Sequence, residues 1–327
     1  MKQYLDLIER VISTGVRQSN RTGIDTLFIP GAMLQFDLRE GFPAVTTKRL
    51  AFKAVVGELL GFLRGYDNAA QFRALGCNIW NANANEEGET PNAWLRNPNR
   101  KGEDDLGRIY GVQWRDWKSG LKMNGVSEAA IEAVLPSGGS LLIHSSEETA
   151  IVPSVDQVVN VMHSLLNDPT NRRMIINSWR PDEFDQMALP PCHVLYQFIA
   201  DVKSQQLHLC MYQRSCDLGL GVPFNIASAS LMLSVMAHLT GFQPATFTHF
   251  LADAHVYVNH IEGLKEQLTR TPRPSPKLIY TGPGRYDYAG KVGPHKVDVN
   301  IFDTVLPEHF SLEGYDPYPT IPLTMAV

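Results

Sequence analysis

The chain is short of several features, and each shortage excludes a class of protein. It has 4 cysteines in 327 residues: Cys77, Cys192, Cys210 and Cys216. None form a Cys-x-x-Cys pair, which argues against a zinc site and fits a reduced, cytoplasmic protein. No Gly-x-Gly-x-x-Gly follows a strand-like run, so no nicotinamide-binding turn is expected. No apolar run reads as long enough to span a bilayer. The start, Met1-Lys2-Gln3-Tyr4, lacks the apolar core of a signal peptide. There is no basic excess: the net charge of -5 argues against an obligate nucleic-acid partner. A small anionic ligand needs only local arginines, so it stays open. No repeat, low-complexity stretch or clear linker divides the sequence, and a single domain over 1–327 is expected.

What the chain does have is a concentrated stretch of chemistry at Ala188-Leu189-Pro190-Pro191-Cys192-His193. The two prolines fix the backbone ahead of Cys192 and remove two N–H donors. Strand-like runs follow at 194–202 and 207–213, around the turn Lys203-Ser204-Gln205. Cys192 stands just before the first run and Arg214 just after the second. An antiparallel hairpin brings these ends together and sets a guanidinium beside a thiol. A positioned cysteine with a positive neighbour is the pattern of a nucleophile.

Other elements are legible from periodicity and punctuation. Tyr4, Leu5, Ile8, Val11 and Ile12 recur at helical spacing, with Gly15 closing the segment. Residues 26–36 read as two strands broken at Pro30-Gly31. A helix over 51–63 is apolar almost all round and therefore buried, yet it carries Glu58, which is costly unless paired or functional. Ser154-Val155-Asp156-Gln157 reads as a capping box for a helix stopped at Asp168-Pro169. Arg172 and Arg173 precede a strand over 174–179. Residues 226–239 form an apolar helix ended by Gly241, with Asn225 as its N-cap. A short strand at 246–250 and a helix over 255–268 follow. The stretch 118–152 reads as an insertion carrying a short helix at 127–134.

Several motifs occur in order along the chain. They are Asn20-Arg21-Thr22-Gly23, Phe42-Pro43-Ala44-Val45-Thr46-Thr47-Lys48 and Tyr110-Gly111-Val112-Gln113-Trp114-Arg115. Then come Pro190-Pro191-Cys192-His193, Gln213-Arg214-Ser215-Cys216-Asp217, Gly221-Val222-Pro223-Phe224-Asn225 and His255-Val256-Tyr257-Val258-Asn259-His260. This series resembles the thymidylate synthase family over nearly the whole chain, less about 81–105 and 118–152, which read as variable insertions.

The resemblance implies an α+β fold: a mixed, mostly antiparallel sheet with helices on one face, and the other face against a second subunit in a homodimer. It implies reductive methylation of dUMP to dTMP with 5,10-methylenetetrahydrofolate as one-carbon donor and reductant, and no metal. Cys192 would be the nucleophile, with Glu58, Tyr110, His193 and Arg214 beside it. Arg21, Arg214, Ser215 and the partner's copies of Arg172 and Arg173 would hold the phosphate. Cys216 and Asp217 belong to the same binding motif, and Asp217 would contact the pterin. Asn225 would read uracil, because an amide sets a donor beside an acceptor. His255 and Tyr257 would hold the sugar. Trp80 and Ala326, in the closing tail, would line the folate.

Two departures from the family pattern stand out: Asn81 where an acidic residue usually follows the tryptophan, and Ala51 where a histidine is common. Two rivals remain beside the synthase reading. One is a deoxyuridylate hydroxymethylase, in which water captures the exocyclic carbon. The other is a non-catalytic nucleotide-binding protein.

Overall fold

The computed structural model describes residues 1–86, 93–118, 123–124, 140–144, 148–152, 154–284 and 300–325. The helix expected at 127–134 and Ala326 lie outside the described residues.

A six-stranded sheet organises the chain. Its strands are β1 (Val16–Gln18), β2 (Thr26–Asp37), β3 (Ile175–Asn177), β4 (His193–Asp201), β5 (Gln206–Asp217) and β6 (Gln243–Tyr257). Their spatial order is β1-β2-β6-β5-β4-β3. Only β5 and β6 run parallel; the other neighbours are antiparallel. The sheet is thus mixed and mostly antiparallel.

The principal helices are α1 (Lys2–Thr14), α2 (Phe52–Leu63), α3 (Tyr110–Arg115), α4 (Gln157–Asn167), α5 (Gly221–Thr240) and α6 (Ile261–Leu268). Helix α5 is the crossover that a parallel pair requires, and it lies on β5 and β6. Among the described residues it alone has the length and apolarity to cross a membrane, which the sequence reading did not anticipate. It is mostly buried inside the fold instead. Helix α1 covers β2 and β6, and α2 lies against α5.

Five expected boundaries change. Residues 26–37 form one strand, not two. Strand β1 pairs only with Thr26, Leu27 and Phe28, so Pro30 falls where one edge of β2 is open and its missing N–H costs no ladder bond. The helix α4 begins at Gln157 with Asp156 as N-cap, its carboxylate accepting from Val159 N–H, while Ser154 belongs to a short strand. Helix α5 starts at Gly221, so Asn225 is inside it. Pro223 sits in the first turn, where no intrahelical donor is lost. The short strand expected at 246–250 is the middle of the 15-residue β6. His255 and Tyr257 end that strand, and α6 begins only at Ile261.

The hairpin of β4 and β5 forms as expected, with Arg214 N–H donating to the Cys192 carbonyl at 2.9 Å. Registers pair Gln213 with His193, Asp217 with His255, and Tyr257 with Thr26. One end of the sheet therefore gathers the starts of β2 and β4 with the ends of β5 and β6.

Candidate active site

At that end the Pro190-Pro191 turn delivers Cys192 to the rim of β4. The Arg214 guanidinium donates to both proline carbonyls, from Nε to Pro191 at 2.9 Å and from Nη2 to Pro190 at 3.0 Å. It also lies over the Trp179 ring, 5.1 Å from the centroid. One arginine thus clamps the turn that carries the sulfur.

Helix α3 supplies Tyr110, whose hydroxyl accepts the Cys192 backbone N–H at 2.6 Å. The Tyr110 ring stacks on Phe62 at 4.9 Å and meets Trp80 edge-on at 5.9 Å. Glu58 comes from α2, among Leu59, Leu60 and Leu63, which are essentially inaccessible. Each such leucine contributes roughly 1.5–3 kcal/mol of burial, which holds the helix and its carboxyl in place. Burial pushes Glu58 up to about 8, and a hydrogen bond from Trp80 Nε1 at 3.1 Å opposes this. Glu58 therefore holds a proton at neutral pH. Burial, then the neighbouring Cys192 and Glu58, also push the Tyr110 hydroxyl well above its usual range.

His193 faces inward beneath the Tyr110 ring. Burial lowers it to about 4, so it is neutral at pH 7. It hydrogen-bonds Asn225 on α5, and its Nδ1 is 3.1 Å from the Tyr196 hydroxyl. Asn225 accepts from Gln213 Nε2 at 2.9 Å.

The remaining site residues divide by accessibility. Asp217 accepts from the N–H groups of Gly219, Leu220 and Gly221 at 2.8, 3.1 and 3.4 Å, so this carboxylate caps α5, the role the sequence suggested for Asn225. Asp217 keeps 21% of its side chain accessible, beside buried His260. Lys48 is buried nearby, donates to the Gly219 carbonyl, and is lowered to about 8 by its burial. The Cys216 thiol is fully buried and points at the Gln213 carbonyl, leaving only backbone to face a ligand. Ser215 is half-buried in β5, opposite Asp253. His255 and Tyr257 meet edge to face at 5.4 Å, and Arg21 and Thr22 lie beside Tyr257. Trp80 is buried and offers little more than an edge.

Arg172 and Arg173 are exposed and do not join this group. The Arg172 carbonyl meets Gln197, five residues along β4 from Cys192, or about 16 Å of extended chain. The departure at Asn81 is occupied inside the chain: its amide oxygen accepts from Arg73, which also pairs with Asp104. Ala51 is exposed and begins α2 with no side-chain cap.

The sequence reading missed Gln213 and His249 as parts of this site. His249 alternates with Phe247 and Leu251 along β6, and that period-2 pattern marks it as facing inward.

The arrangement as a whole is a cysteine, a phenol and a protonated carboxyl around an aromatic wall. A sequence model of the family described as thymidylate synthase matches residues 2–327. The chain belongs to the thymidylate synthase family. A thymidylate synthase of Pseudomonas syringae pv. tomato is 46% identical over 100% of both chains. One from Bordetella parapertussis is 43% identical, again over 100% of both. The human thymidylate synthase is 39% identical over 99% of this chain and 90% of its own.

Proposed function

We propose that the chain converts dUMP to dTMP by reductive methylation, with 5,10-methylenetetrahydrofolate as co-substrate and dihydrofolate as second product. Membership of the family makes it a folate-dependent methyltransferase. The observation that carries the residue assignment is the contact of the Tyr110 hydroxyl with the Cys192 amide, beside buried Glu58. It joins nucleophile and proton-handling groups in one place.

The Cys192 sulfur adds to uracil C6 and makes C5 nucleophilic, with Arg214 supplying positive charge at the turn. Asn225 reads the N3–H and O4 edge. His255 and Tyr257 hold the sugar, and Arg21, Arg214 and Ser215 hold the phosphate. Tyr110 and Glu58 help remove the C5 proton. His193, neutral and buried, positions Asn225. The co-substrate supplies the one-carbon unit and the hydride. An exposed acid suits the pterin's N–H donors, and the accessible part of the Asp217 carboxylate provides one. Trp80 shields the reacting carbon from water.

We also read the helix-free face of the sheet as a homodimer interface. Met33, Phe250 and Tyr212 form one row across three strands and are 60%, 39% and 45% exposed. Ile199 adds to the same face at 46%. A soluble monomer rarely leaves such a row open. Arg172 and Arg173, too far along the hairpin to serve their own Cys192, reach the partner's phosphate site in this reading. A cytoplasmic location fits the four free thiols.

The test mixes the protein with dUMP and 5,10-methylenetetrahydrofolate. Dihydrofolate is followed by absorbance and the nucleotide product by mass. Equal amounts of dihydrofolate and dTMP, both lost in Cys192→Ala, support the proposal. A hydroxymethylated nucleotide without dihydrofolate overturns it, as does dUMP binding with no turnover.

A further inference from the structure

A bare asparagine does not by itself distinguish uracil from cytosine. Its oxygen and nitrogen match N3–H and O4 of uracil. After a 180° flip of the amide they match N3 and the N4 amine of cytosine equally well. Something must therefore fix which end of Asn225 is which.

A buried relay does this. Gln213 Nε2 donates to Asn225 Oδ1 at 2.9 Å and to the Ser215 carbonyl at 2.9 Å. A carbonyl can only accept, so the nitrogen end of Gln213 is the end facing Ser215 and Asn225. Its oxygen end then faces His249, whose Nε2 lies 2.8 Å away. That oxygen needs a donor, and the proton of His249 must sit on Nε2. The other ring nitrogen, Nδ1, is buried without a partner. Such an orphan costs less as a lone pair than as an N–H group. His249 is fully buried, and burial, then nearby His193, lower it to about 3, so the ring stays neutral.

We propose that His249 is a specificity-determining positioning residue: through Gln213 it fixes the polarity of the Asn225 amide and so excludes the cytosine nucleotide. The inference rests on Asn225 being the base-contacting amide. It assigns a role to a residue that touches neither substrate. Without the Nε2–H donor, Gln213 keeps a buried acceptor unpaired and turns away, and Asn225 loses one of the contacts that fix its amide. His193 still holds Asn225 from another side, so the loss is partial.

The experiment measures dUMP KM and kcat, and dCMP inhibition, in His249→Leu, His249→Gln and Asn225→Asp. In His249→Leu the preference for dUMP over dCMP falls about tenfold, while kcat with dUMP falls less than about threefold. His249→Gln, which retains a donor near the Nε2 position, restores most of the preference. An unchanged preference in a folded His249→Leu overturns the proposal, and so does failure of the glutamine variant to restore it. Asn225→Asp separates the two readings. If it leaves the preference intact, Asn225 is not the base reader and both readings fall. If it changes the preference but His249→Leu does not, only the relay falls. The wild-type protein gives a check independent of variant folding. Nitrogen-15 NMR of labelled histidine should show His249 protonated at Nε2 and uncharged down to about pH 5. A proton on Nδ1 overturns the proposal.

Discussion

The pocket around Cys192 and the arginines assigned to the phosphate are built in opposite ways. Tyr110, Glu58, His193, Gln213 and Asn225 are tied to one another or to backbone. Arg21, Arg172 and Arg173 are exposed and make no ion pair among the described residues. The difference teaches which half of the chemistry is set by the fold alone. Positions that move protons and read a base must be rigid before substrate arrives. Positions that bind a dianion can wait, because a phosphate organises guanidinium groups itself. Arg214 straddles the two halves, since its guanidinium holds the turn that carries Cys192 and is also among the groups assigned to the phosphate.

The sharpest way to break the contrast is at its rigid side. Cys192→Ala should lower kcat on the order of 10⁴-fold or more, read as dTMP formation, with the fold intact by circular dichroism. Glu58→Gln should lower kcat by about 10²-fold, because a positioned proton shuttle contributes that much. The same variant reports on stability. The folded pKa of Glu58 is about 8, above its unfolded value of 4.5. Its contribution is fully present below pH 4.5 and is lost as pH rises through about 8. Glu58→Gln should therefore gain in Tm relative to the parent between pH 5 and pH 9; a constant difference would contradict the burial argument.

On the open side, Arg172→Ala with Arg173→Ala should raise the dUMP KM about tenfold with kcat nearly unchanged. If these side chains serve the partner's site, mixing that variant with Cys192→Ala should recover activity at dUMP well below KM, where the arginine variant alone is slow. Random exchange of protomers gives about a quarter of the parent rate, since half of the dimers carry one intact site. No recovery would place the arginines in their own chain's site or in none. The smallest effect is at Ala51: Ala51→Ser should stabilise α2 by about 0.5–2 kcal/mol through a new N-cap, seen as a higher Tm with unchanged kinetics.

Much of the site was legible because it is local. The hairpin around 203–205 places Arg214 beside Cys192 without knowledge of any other element. The apolar run of α2 marks Glu58 as an anomaly. What was not legible depends on distant chain. The extent of β6 is set by its pairing with β2 and β5, not by the composition of 243–257. Asn225 reads as a cap from its neighbours, yet Asp217 takes that role from further back, and the Asn225 amide bonds Gln213 and His193 instead. The contact of Gln213 with His249 joins two strands through a parallel register that no local pattern encodes.

The position of β2 has a consequence for how the chain is made. It sits inside the sheet against β6, where Pro30 pairs with Asp253, about 220 residues later. Until that segment leaves the ribosome, β2 has an open edge. Translation thus holds an early strand exposed for most of synthesis. A chain stopped before residue 243 should be a substrate for chaperones or an aggregate, not a smaller folded protein.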